Sequence, residues 1–101
     1  MKFQLVLQFS TTRHEDFHRL IELEDRLIET IGDGHVVDGH DFGSGEMNIF
    51  ILTDDPTRAF AIARPIIFPD LFLHLKAAYR ELSASDFKTL WPPDLKTFDV
   101  I

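Results

Sequence analysis

Three groups of residues in this chain have the types and spacing to do chemistry, and the first is His14, Glu15 and His18. They spell HExxH, the pattern in which two histidines one helical turn apart bind zinc while the glutamate activates water. However, a domain of 101 residues rarely houses a protease. Thr12 and Glu15 also have the spacing of a capping box, in which each side chain bonds a free amide at a helix start. We therefore expect a helix start without zinc, and a zinc hydrolase is the third hypothesis for function.

The second group lies around a glycine turn and consists of Asp38, His40 and Glu46, with Asn48 nearby. These side chains could hold a metal ion or transfer protons. The segment DGHD is also typical of a solvated hairpin end, because Asp, Gly and His tolerate turn geometry, and we favour that interpretation. His74 is the third candidate, as an imidazole on the last predicted strand. The sequence therefore predicts no catalytic residue, no metal site and no cofactor.

A β-α-β-β-α-β order of elements must position these side chains. Apolar residues alternate along residues 2–9, recur at helical spacing along residues 12–31, and alternate again on both sides of the turn Gly43-Ser44-Gly45. Asp54 or Asp55 caps a second helix with Pro56 in its first turn, and a last strand is expected at about residues 70–80. This order predicts an α+β, ferredoxin-like fold: a four-stranded antiparallel sheet with two helices on one face.

The strand pairing expected for the hairpin decides which side chains share a face. If Phe42 opposes Glu46, the core face carries Val37, Met47, Ile49 and Ile51. Two helices cover only one face of such a sheet, so the other face is open. The partner or ligand surface predicted on that open face and its rim consists of Asp38, His40, Glu46, Asn48, Phe50, Phe72 and His74.

The C-terminal segment exceeds the minimal fold. We expect a ferredoxin-like domain at residues 1–82 and an extension at residues 83–101 that packs on it, with a short helix at about residues 84–90. Trp91 is expected to be substantially buried, because an exposed indole would forfeit a large hydrophobic gain.

Composition narrows the classes of partner. Seventeen acidic and ten basic residues give a formal charge of -7, which repels nucleic acids and anionic membranes and is compatible with a basic protein or a cationic ligand. The chain has no cysteine, and no apolar run approaches the roughly 20 residues that cross a bilayer. These properties predict a soluble, cytoplasmic protein.

The run DGHDFGSGEMNIFILTDDP, residues 38–56, resembles the central hairpin of small, largely uncharacterised bacterial ferredoxin-like proteins, some of which resemble toxin-immunity proteins. The resemblance implies a non-enzymatic binding role. The first hypothesis is therefore a protein-interaction module that forms a dimer or inhibits a protein partner. The alternative is a small-molecule or metal-binding site between the open sheet face and the C-terminal segment, with His40, His74 and Glu46 as polar contacts.

Overall fold

The computed structural model describes residues 1–11 and 13–100, which form an α+β fold around one antiparallel sheet. The elements are β1 (Phe3–Ser10), α1 (His14–Thr30), β2 (His35–Gly43), β3 (Glu46–Thr53), α2 (Pro56–Ala63), a 3-10 turn (Arg64–Ile66), α3 (Pro69–Phe72), β4 (Leu75–Glu81) and β5 (Lys88–Trp91). The strands are arranged in the order β2-β3-β1-β4-β5. The two edge strands are therefore β2 and β5, and β2 is the longer of them.

The predicted α+β class is confirmed, but the four-stranded ferredoxin-like arrangement is wrong. The sheet has five strands, because the segment expected to be a helix at residues 84–90 instead contributes β5, which pairs with β4. Thr89 and Trp91 are residue types that favour strands, and β4 has backbone groups that need partners. The last predicted strand also begins later, at Leu75, because Pro69 opens the short helix α3.

The main core lies between the sheet and its helices. The alternation of β1 sends Leu5, Leu7 and Phe9 to this side, where all three are completely buried. The helical spacing of α1 brings Leu20 and Leu27 against them. The sequence pattern and the packing therefore agree on which face of the sheet the helices cover.

The starts of the two longer helices carry different side-chain hydrogen bonds. At α2, Asp55 accepts a hydrogen bond from the Arg58 amide at 3.1 Å, as the sequence predicts for one of its two cap candidates. At α1, the Thr11 hydroxyl donates to the buried Asp16 carboxylate at 2.8 Å. The predicted capping pair of Thr12 with Glu15 includes Thr12, which lies outside the described residues.

The sheet face opposite the helices carries a second apolar cluster. Val6 and Ala78 are completely buried there beneath Phe98 from the C-terminal segment, and Phe50, Phe87 and Leu95 pack around them. The Gln8 amide nitrogen donates to the backbone oxygen of Asp99 at 2.8 Å. The C-terminal segment therefore covers the centre of the face that would be open in a four-stranded fold.

An ion pair joins α1 to α3 and gives a prediction about pH. Arg19 donates to Asp70 at 2.7 Å, and this hydrogen bond lowers the pKa of Asp70 from 3.8 to about 2. A carboxyl whose pKa is lowered by folding stabilises the folded protein at pH values above its pKa in the unfolded chain. That contribution is lost as the pH falls from 3.8 to about 2. We expect carbon NMR titration to give an Asp70 pKa of about 2, and a value near 3.8 in Arg19→Gln. An Asp70 pKa that Arg19→Gln leaves unchanged would contradict the pairing.

Candidate functional site

The turn between β2 and β3 places the candidate side chains differently from the prediction. Gly43 opposes Glu46, and Ser44 and Gly45 between them both have positive φ, at 52° and 76°. Such a two-residue turn matches the twist of the flanking strands. Phe42 therefore opposes Met47 rather than Glu46. A shift of one residue exchanges the two faces of a strand. The predicted register is therefore wrong for the part of β2 nearest the turn.

His40 and Phe42 consequently lie on the helix side and not on the open face. His40 opposes Ile49, and its Nδ1 lies 2.9 Å from both carboxylate oxygens of Glu24 on α1. The Glu24 carboxylate is nearly buried, whereas the His40 side chain is 30% exposed. Glu24 thus fixes the orientation of the imidazole ring, which remains partly exposed.

The pairing of His40 with Glu24 leads to a second prediction. In His40→Ala a nearly buried carboxylate loses its partner, and an unsatisfied buried polar group costs about 1–3 kcal/mol. We expect the free energy of unfolding in urea to fall by this amount. The double variant Glu24→Leu with His40→Ala should recover part of the loss, because no carboxylate is then left unpaired. A loss below about 0.5 kcal/mol in His40→Ala, the size of an ordinary surface effect, would contradict this role.

Two phenylalanines form the most prominent aromatic contact on this side of the molecule. The rings of Phe17 on α1 and Phe42 on β2 stack with centroids 3.7 Å apart, yet they remain 37% and 38% exposed. They line a cleft of about 320 Å³ between the first turn of α1 and the tip of the hairpin. This hairpin cleft is bounded by Thr11, Arg13, His14, Phe17, Phe42 and residues 43–47. Phe17 shares the helical spacing of Leu20 and Leu27, which predicts a buried side chain, but the structure leaves it partly exposed.

The remaining hairpin candidates are divided between the open face and the rim. Asn48 is buried on the open face, where it accepts from Gln8 at 3.1 Å and donates to Asp41 at 2.9 Å. Phe50 packs against the cluster under the C-terminal segment. Asp38 lies exposed at an irregularity in β2, and Glu46 begins β3 beside the hairpin cleft. Asn48 and Phe50 therefore contribute to the packing of the domain and not to an exposed binding surface.

The structure places Phe72 and His74 away from the open face, which corrects their predicted position. Phe72 belongs to α3 and packs against Trp91, with ring centroids 5.3 Å apart. His74 is exposed in the turn before β4, and its amide donates to Leu71. Both residues differ from their predicted positions because α3 occupies the start of the predicted last strand. Trp91 itself is half-buried at the sheet edge, with the Arg64 guanidinium 4.3 Å from its ring centroid.

The HExxH residues lie in the first turns of α1. The rings of His14 and His18 are 5.2 Å apart, but Glu15 contacts Arg13 at 3.4 Å. Hydrogen bonds from its own backbone and from Arg13 lower the pKa of Glu15. In residues 1–11 and 13–100, no group of three or more His, Cys, Asp or Glu side chains is arranged to hold a metal ion. His40, His74 and Glu46, the contacts of the alternative ligand site, do not come together either.

Negative charge is concentrated in one part of the chain. Residues 27–57 contain seven carboxylates and neither lysine nor arginine, while the other residues contain ten acidic and ten basic side chains. This segment, here called the acidic half, therefore accounts for the whole formal charge of -7. Its carboxylates are Glu29, Asp33, Asp38, Asp41, Glu46, Asp54 and Asp55. Counting charge along the chain could have revealed this separation from the sequence alone.

Within the described residues, no helix is both long and apolar enough to cross a membrane. A comparison with protein-family models, with curated proteins and with solved structures found no match to this chain.

Proposed function

We propose that this protein is a non-enzymatic binding module that binds a basic protein partner through its acidic half. The observation that carries this proposal is the separation of charge, because residues 27–57 hold an excess of seven negative charges and the remainder is neutral. A local excess of negative charge attracts an oppositely charged partner and repels partners of the same sign.

Aromatic side chains beside these carboxylates support a binding role. Protein interfaces combine a few apolar anchors with a polar rim. Phe17 and Phe42 are stacked and more than one third exposed at the hairpin cleft, and Glu46 lines the same cleft. Arg13 also lines it, but its guanidinium contacts Glu15 at 3.4 Å. The two rings can therefore act as apolar anchors, with the Glu46 carboxylate at the same cleft.

Charge also favours a basic partner over a second copy of this protein. A dimer that pairs β2 with a second β2 would bring the carboxylates of Asp38 and Asp41 close to those of the other copy, and like charges that face each other destabilise a sheet. A basic partner meets no such repulsion. Inhibition of a basic protein, the role that the resemblance to toxin-immunity proteins implies, is one form of this function.

The test uses two short synthetic peptides, one with alternating lysine and valine and one with alternating glutamate and valine. Isothermal titration should detect binding of the lysine peptide and no binding of the glutamate peptide. Its affinity should fall as the salt concentration rises from about 0.05 M to about 0.2 M, because salt screens exposed charges. Equal binding of both peptides, or binding of the lysine peptide that salt does not weaken, would refute the proposed function.

A further inference from the structure

The two edges of the sheet differ in how well they are protected against another strand. The edge strand β5 has only four residues, pairs irregularly with β4, and is followed by Pro92 and Pro93. Short strands and prolines are devices that prevent strand addition. The opposite edge strand, β2, has nine residues with neither proline nor lysine. The β2 edge therefore lacks both of these devices.

The regular part of β2 is its end nearest the turn. An irregularity between Val37 and Gly39 leaves Asp38 without a partner, and Gly39 has the positive φ of 130° that glycine allows. From Gly39 to Gly43 the pairing with β3 is continuous. This run is about 17 Å long at the usual rise of a strand, enough for one more short strand.

The turn determines which backbone groups of this run point outward. Residues that flank a two-residue turn exchange both of their backbone hydrogen bonds, and the pattern then alternates along the strand. Gly43 and Asp41 therefore direct their amides to β3, whereas Phe42 and His40 direct theirs away from the sheet. Among the described residues, no other hydrogen bond reaches the backbone of β2 from outside the sheet.

The two faces of β2 differ in chemistry beside these outward groups. Phe42 lies on the helix side, where it stacks on Phe17. Asp41 opposes Asn48 on the other side, and it is exposed. An added strand presents alternate side chains to alternate faces. The best complement is a strand with apolar residues toward Phe42 and cationic residues toward Asp41.

We infer that the basic partner binds by strand addition, with an extended segment of alternating cationic and apolar residues pairing along Gly39 to Gly43 of β2. This inference rests on the proposed function and specifies how the acidic half is used. The partner's main chain bonds the outward amides and carbonyls of His40 and Phe42, its apolar side chains contact the Phe17–Phe42 pair, and its cations face Asp41. The same carboxylates keep a second β2 from taking this place.

The test compares the alternating lysine–valine peptide with the same peptide methylated on the backbone nitrogens of its central residues. Methylation removes main-chain donors from both edges of the peptide and leaves its charge unchanged. We expect the methylated peptide to bind roughly tenfold more weakly. Hydrogen exchange at the His40 and Phe42 amides should slow by roughly tenfold or more when the unmethylated peptide binds, because amides bonded to a partner strand are protected.

The outcomes distinguish the mode of binding from the function. If both peptides bind equally, or if exchange at His40 and Phe42 does not change in the complex, strand addition is wrong, while a charge-dependent interaction stands. A block peptide with all lysines before all valines serves as a control for composition, and it should bind more weakly than the alternating peptide. If no lysine peptide binds at all, both the mode and the function are overturned.

Discussion

Replacing Phe98 by alanine should lower the free energy of unfolding by about 3 kcal/mol, the cost of removing a buried aromatic ring. Phe98 is 8% exposed and packs against Val6 and Ala78, and its ring centroid lies 5.0 Å from that of Phe87. The expected loss of stability is large because the C-terminal segment shields Val6 and Ala78 on this face of the sheet from water. Urea unfolding followed by Trp91 fluorescence measures it.

A matched control is Leu82→Ala, which removes an apolar side chain that is 41% exposed. Its effect should stay within about 0.5 kcal/mol, as for most surface substitutions. Deleting residues 84–101 removes β5 as well as Phe98, so it should destabilise the protein more than Phe98→Ala does. A truncated protein as stable as the full chain would show that the C-terminal segment does not belong to the core.

Reversing two charges in the acidic half should weaken binding of the lysine peptide by roughly tenfold or more, because opposed like charges cost several kcal/mol. The variant is Asp38→Lys with Glu46→Lys. Neither side chain takes part in a hydrogen bond or an ion pair found among the described residues, so the fold should be retained. Titration at low salt measures the change in affinity.

The control reverses two exposed carboxylates elsewhere, in Asp86→Lys with Asp94→Lys. Both double variants change the net charge by the same amount, so only the position of the charge differs between them. The control should bind the lysine peptide with nearly the affinity of the unaltered protein. Equal weakening in both variants would mean that net charge, rather than the acidic half, attracts the peptide.

Local patterns predicted the elements near the start of the chain well. The alternation in β1 and the spacing of Leu20 and Leu27 are strong signals, and the Asp55-Pro56 start of α2 follows from capping chemistry. These features depend on neighbouring residues only. The sequence therefore sufficed for the α+β class and for the side of the sheet that the helices cover.

The errors arose where tertiary structure decides between local alternatives. Ser44 adopts a positive φ that few residues other than glycine adopt, and this permits the two-residue turn that moves His40 and Phe42 to the helix side. The tail could have formed a helix or a strand, and the free edge of β4 selected the strand. The position of the candidate site depended on both choices, so it could not be predicted from local patterns.

Mapping the lysine peptide by amide chemical shifts shows whether the acidic half binds a basic partner. We expect the largest shifts at residues 38–46 and at Phe17, with small shifts in α2, α3 and β5. Shifts concentrated on α2 and α3, or spread evenly over the molecule, would show that the peptide does not bind at the acidic half.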